Sequence, residues 1–88
     1  MKAVVTVVGK DHVGIVANVS TKLAELNLNI VDISQTLMGN FFTMMMMVEF
    51  EGGLDFKNLQ EDLKTLGSSL GLKIRIQNEE IFDAMHKL

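Results

Sequence analysis

Few side chains in this 88-residue chain can do chemistry. It has two histidines, His12 and His86, and no cysteine, tyrosine or tryptophan. Nucleophilic catalysis requires a nucleophile, a base and an orienting group that converge. His12 adjoins Asp11, but neighbours in sequence seldom point together, and a serine partner would be distant. His12 is therefore expected to be a solvated loop residue, His86 falls close to the C-terminus, and no catalytic set is predicted. The run Met44-Met45-Met46-Met47 supplies thioethers of the kind that suit Cu(I). A strand sends successive side chains to opposite faces, so at most two of the four converge, with no cysteine or histidine beside them. Packing is expected instead of a metal site, with Met45 and Met47 forming an adaptable apolar patch.

The segment Val8-Gly9-Lys10-Asp11-His12-Val13-Gly14-Ile15 is more informative. Gly9 is expected to take a backbone conformation closed to other residues, and Asp11 to cap the helix that follows. Gly14 would let the first helical turn approach a ligand or another backbone. Unpaired N–H groups at a helix start, with the positive end of the helix dipole, make a carboxylate site. Asn29 offers an amide that both donates and accepts. A free amino acid needs acceptors for its ammonium and donors for its carboxylate; Asp11 or Asn29 and the loop amides would supply both. Spacing alone leaves a second reading open at each place: a capped strand-to-helix turn, and a turn asparagine.

Apolar periodicity defines the elements that must position these residues. Residues 2–8, KAVVTVV, form the β-branched run of a central strand. From Val13 to Leu26 the apolar residues Val16, Val19, Leu23 and Leu26 recur at three and four, the spacing of an amphipathic helix. Asn27 is placed to end it in the left-handed conformation. Residues 30–38 alternate, with Val31, Ile33, Gln35 and Leu37 on one face and Asp32, Ser34 and Thr36 on the other. Gly39-Asn40 fits a two-residue hairpin turn. Residues 41–51 return with Phe42, Met44, Met46, Val48 and Phe50 inward. After Gly52-Gly53, Asp55 caps a helix striped by Phe56, Leu59, Leu63, Leu66 and Leu70 that stops at Gly71. Residues 72–78 form a last strand with Leu72, Ile74 and Ile76 inward. With right-handed crossovers, the order β-α-β-β-α-β gives an α+β ferredoxin-like sandwich, a four-stranded antiparallel sheet with both helices on one face. Residues 1–78 constitute one domain, and residues 79–88 are expected to add a short C-terminal helix. Its Ile81, Phe82, Met85 and Leu88 would cover Met45 and Met47 in the same or the partner subunit.

Composition narrows the function. Eight cationic residues against 11 acidic ones leave a net charge of −3, which argues against nucleic acid as a direct partner. The lack of cysteine favours a reducing compartment, and the N-terminal apolar run is too short for a signal peptide. No stretch approaches the roughly 18 apolar residues of a membrane span, so a cytoplasmic location is expected. Enzymes on this fold such as acylphosphatase need a loop arginine, whereas the single arginine, Arg75, falls in the last strand. RNA binding on this fold needs aromatic stacking platforms, whereas the outward strand positions are methionine and acid, and metal carriage needs thiols, which the chain lacks. At this length folding buries only ~60–65% of the unfolded chain's surface, which favours burial against a second copy.

The stretch VVTVVGKDHVGIVANVSTKLAELNLNIVDISQ resembles the ACT domain, in particular the small stand-alone bacterial members related to the glycine cleavage system transcriptional repressor. The resemblance runs over roughly residues 3–78 and rests on Gly9-x-Asp11-x-x-Gly14-Ile15-Val16 and Asn29-Ile30-x-Asp32-Ile33. It implies a regulatory module without catalysis or cofactor that binds an amino acid or similar small carboxylate. It also implies a side-by-side homodimer in which edge strand 30–38 and the first helix meet. By position the ligand would touch Gly9, Asp11, Val13, Gly14 and Ile15 of one copy and Asn29 of its partner. Val13 replaces the proline common before the loop glycine, and Gly9 stands where some members carry a polar side chain. Strand 30–38 bears one charge, Asp32, so little opposes edge-to-edge pairing. A stand-alone module of this kind acts in trans on another protein; the alternative is a ligand-free protein–protein interaction or dimerisation module.

Overall fold

Among the described residues six elements follow in the order β1 (Lys2–Lys10), α1 (Ile15–Glu25), β2 (Asn29–Met38), β3 (Phe41–Glu49), α2 (Phe56–Leu70) and β4 (Leu72–Asn78). The computed structural model describes residues 1–52 and 55–78. The expected helical tail over residues 79–88, its cover of Met45 and Met47, and Gly53 lie outside the described residues. The strands form one antiparallel sheet in the order β2-β3-β1-β4, with the topology of the expected ferredoxin-like sandwich.

The β-branched run places β1 in the interior of the sheet, where Ala3, Val5 and Val7 are fully buried. Across from them Val48, Met46 and Met44 are also fully buried, whereas Met45 is exposed and Met47 half-buried. The methionine run thus divides between two faces, as strand geometry requires. Ile15, Val19 and Leu23 of α1 and Leu59 and Leu63 of α2 close the core over this face.

Local signals behave as their chemistry dictates at several ends. Asn27 has φ 61° just past α1, and Gly71 has φ 70° after α2, where its N–H donates to the Gly67 carbonyl. Gly39 is left-handed in the turn that pairs Met38 with Phe41. The Asp55 carboxylate accepts from the Asn58 amide at 3.3 Å. Removing that cap with Asp55→Ala is expected to cost about 1 kcal/mol. Urea denaturation reads this directly, and an unchanged midpoint would mean the cap contributes nothing.

Two elements differ from expectation. Helix α1 begins at Ile15 instead of Val13, because Gly14 has φ +89° and cannot continue a helix backwards. The buried stripe is consequently Ile15, Val19 and Leu23, and Val16 remains 37% exposed. Strand β2 buries neither face within one chain. A bulge between Ile30 and Asp32 takes Val31 out of register, so Ile30, Ile33, Gln35 and Leu37 share the helix-facing side of the sheet. Ile33 and Leu37 nevertheless stay 42% and 59% exposed, because β2 is an edge strand beyond the cover of the helices.

Candidate functional site

The loop of residues 11–14 leaves the end of β1 and enters α1. Its conformation is set by three hydrogen bonds that reach different elements. The Asp11 amide donates to the Asn40 carbonyl at 2.8 Å, which ties the loop to the β2–β3 hairpin. Nε2 of His12 donates to the Leu70 carbonyl at 3.1 Å, which ties it to the end of α2, while Nδ1 lies 3.2 Å from the Val13 carbonyl. The Asn18 side chain donates to the Gly14 carbonyl at 2.9 Å, beside the helical bond from its own amide.

These contacts correct three expectations. Asp11 does not cap α1: the N-cap is Gly14, without a side-chain hydrogen bond. A capping oxygen must sit on the residue immediately before the first helical one, and Asp11 is too far upstream. Its carboxylate is left exposed instead. His12, although exposed, is not a freely solvated residue, because its ring joins two elements. Gly9 has no left-handed backbone; it pairs with Phe42 and Leu72 inside the sheet, and a Cβ there would come within 2.5 Å of the Leu72 side chain. Its constraint is close packing, not conformation: a Cβ would displace the Leu72 side-chain tip and stand 3.3 Å from the Gly71 carbonyl oxygen.

With no side chain at the N-cap, the amides of Ile15, Val16 and Ala17 at the start of α1 have no intrahelical acceptor. They carry the positive end of the helix dipole and lie next to the exposed loop that holds Asp11 and Val13, the latter 99% exposed. Residues 11–17 thus carry donors for an anion and an acceptor for a cation along one stretch of chain. Gly14 holds the arrangement through its left-handed φ, so Gly14→Ala is expected to cost about 1–2 kcal/mol, read as a lower denaturation midpoint.

Asn29 does not reach this loop within one chain. It opens β2 opposite Glu49, which in turn faces Lys2, whereas the loop departs from Lys10 at the far end of β1. At about 3.3 Å per residue the two lie roughly 26 Å apart along the sheet. At the β2 edge the Asp32 carboxylate accepts from the Ile33 amide at 2.9 Å.

Sequence reasoning missed Asn18 and the role of His12. Asn18 was accessible, since a polar side chain four residues after Gly14 can reach back to the first helical carbonyl. The partner of His12 was not, because Leu70 lies 58 positions away. Among the described residues no group of three or more histidine, aspartate or glutamate side chains is placed to hold a metal ion, and no helix is long and apolar enough to cross a membrane.

The comparisons with known proteins agree with this architecture. The family model of the ACT domain matches residues 2–77. A UPF0237 protein of Listeria monocytogenes is 58% identical over the full length of both chains. The solved ACT domain protein from Streptococcus pneumoniae superposes with a TM-score of 0.87 at 52% identity, covering 98% of each chain. A solved putative glycine cleavage system transcriptional repressor superposes with a TM-score of 0.76 at 25% identity, over 86% of this chain and 44% of that one. The matched model runs from β1 to the penultimate residue of β4 and takes in α1, α2 and the loop that presents the uncapped amides, and on that basis the chain belongs to the ACT domain family, whose members are generally regulatory ligand-binding modules.

Proposed function

We propose that this chain is a non-catalytic regulatory module of the cytoplasm that binds an amino acid or similar small carboxylate between two copies and acts in trans on another protein. The observation that carries this reading is the start of α1, where uncapped amides stand beside an exposed aspartate. A ligand carboxylate would accept from the amides of Ile15–Ala17, and its ammonium would face the Asp11 carboxylate. Val13 and Gly14 would shape the loop around it, and Gly9 would set the approach of β1 to Leu72 beneath it.

Sheet geometry supports a contribution from a second copy. Met1 and Asp11 both hydrogen-bond toward β3, so the odd-numbered residues of β1 pair with β3 and its even-numbered residues with β4. Carried across the β3 register, the same alternation turns the backbone groups of Ile33, Gln35 and Leu37 toward the open edge. An antiparallel pairing of two β2 strands about Gln35 would set Ile33 against Leu37 and cover the apolar residues that this edge exposes. It would also bring the partner's Asn29 from the far end of the sheet to the hairpin end, where the Gly9–Gly14 loop lies. The Asp32 carboxylate, which occupies the Ile33 amide, would have to release it as the strands join.

Thermal denaturation against the twenty amino acids at millimolar concentration tests the reading. A ligand present at 100 times its dissociation constant adds about 2.7 kcal/mol to stability, a rise of several degrees. Asp11→Ala and Asn29→Ala are expected to abolish the shift while leaving the unliganded melting temperature in place, because both side chains are exposed. A flat panel overturns the proposal. A second reading, a ligand-free interaction module, draws on the outer sheet face, where Val8, Phe41 and Met45 remain 40%, 59% and 37% exposed. Copurification of a partner protein without any response to metabolites would favour it.

A further inference from the structure

The β4 side of the sheet is built differently from the β2 side. By the alternation along β1, Lys73 and Arg75 direct their backbone groups to β1, and those of Leu72, Ile74 and Ile76 point away from it. The position of Gln60 agrees: its Nε2 donates to the Ile76 carbonyl at 3.5 Å from α2. The outward N–H and C=O of Ile74 have no protein partner among the described residues. Alongside runs an open groove of about 690 Å³ lined by Lys64 of α2, by Lys73 and Arg75 of β4, and by the apolar Leu72, Ile74 and Ile76. No carboxylate lines it, and none of the three cations has a carboxylate within 4.0 Å among the described residues. In a chain of net charge −3 this is a local concentration of positive charge.

We infer that the β4 edge and its groove receive an acidic, extended segment of a partner protein, which pairs with Ile74 as a fifth strand, displaces the Gln60 side chain from the Ile76 carbonyl, and sets its carboxylates against Lys73 and Arg75 on the outer face, with Lys64 adding positive charge from the helix side. Main-chain pairing would supply affinity, and the cations would select for acid on the incoming strand. The same cations disfavour pairing of β4 with β4 of a second copy, since a two-fold axis would set like charges together. The inference is independent of the amino-acid reading, because the groove is lined by α2 and β4 alone, whereas that site is built from the β1–α1 loop and the partner's β2.

The test uses the full 88-residue chain and a fluorescein-labelled peptide of four Glu-Val repeats. Fluorescence anisotropy is expected to show saturable binding that weakens as salt is raised. In a spectrum of the isotope-labelled protein, the amide shifts are expected to fall on residues 72–76 and on α2. The charge reversals Lys73→Glu and Arg75→Glu, both at exposed positions on one face of β4, are expected to weaken binding at least tenfold together without lowering the melting temperature. A Glu-Pro repeat of equal charge, which cannot complete a ladder, is expected not to bind. Equal binding of the Glu-Pro peptide would overturn strand addition. Absence of binding at millimolar peptide, shifts confined to β2, or full affinity after charge reversal would overturn the site itself.

Discussion

Gly67→Ala is expected to destabilise the protein by about 2 kcal/mol, although it replaces a helix-weakening residue by the best helix former. On an exposed helix the exchange would add up to ~1 kcal/mol of stability. Gly67, however, is buried on the face of α2 that meets β4, and a Cβ there would stand 2.6 Å from the Leu72 carbonyl oxygen and 3.3 Å from Ile74. The obstructing atom is backbone, in a peptide fixed by the pairing of Lys73 with Val8, so it cannot rotate aside as a side-chain tip would. The helix must lift off the sheet instead, which opens contacts to Leu63 and Ile74 in the core. For a domain of this size such a loss lowers the melting temperature by roughly 8–16 °C. Urea denaturation with an unchanged slope would attribute the effect to the native state. A melting temperature that rises would mean helix propensity outweighs the contact.

Ile33→Lys is expected to convert a dimer into a monomer, seen in light scattering as a fall in mass to 9.8 kDa. Ile33 lies on the helix-facing side of β2 and is 42% exposed in the single chain, so lysine there can reach water and the monomer fold remains intact. In the proposed pairing the same position is covered, and an unpaired ammonium would lose its hydration. That penalty is about 3 kcal/mol or more, at least a hundredfold in the dissociation constant. Because the partner's Asn29 would leave with its strand, any amino-acid-dependent rise in melting temperature should disappear as well. An unmutated protein that is already monomeric at high micromolar concentration would sink the shared-edge model, and so would a variant that keeps both its mass and its ligand response.

Residues whose roles depend on near neighbours could be read from the sequence. The six elements follow from periodicities of two and of three-to-four, Asp55 caps α2, and Asn27 takes the left-handed turn after α1, because each depends on bonds made within a few residues. The ferredoxin-like topology follows in turn, since strand pairing has few solutions once order and handedness are known. The motif Gly9-x-Asp11-x-x-Gly14 located the candidate loop, but the duties of its members were decided by the fold. Gly9 answers to Leu72, and His12 to Leu70, across most of the chain. Asp11 gives its amide to the hairpin and leaves its carboxylate free, because Gly14 starts the helix in its place. Strand β2 shows the same division: alternation identified it as a strand, and only its place at the edge of the sheet decided that its apolar side would remain uncovered. Local hydrogen bonding and side-chain period are properties of a short window, whereas burial and close approach depend on which distant segment folds alongside.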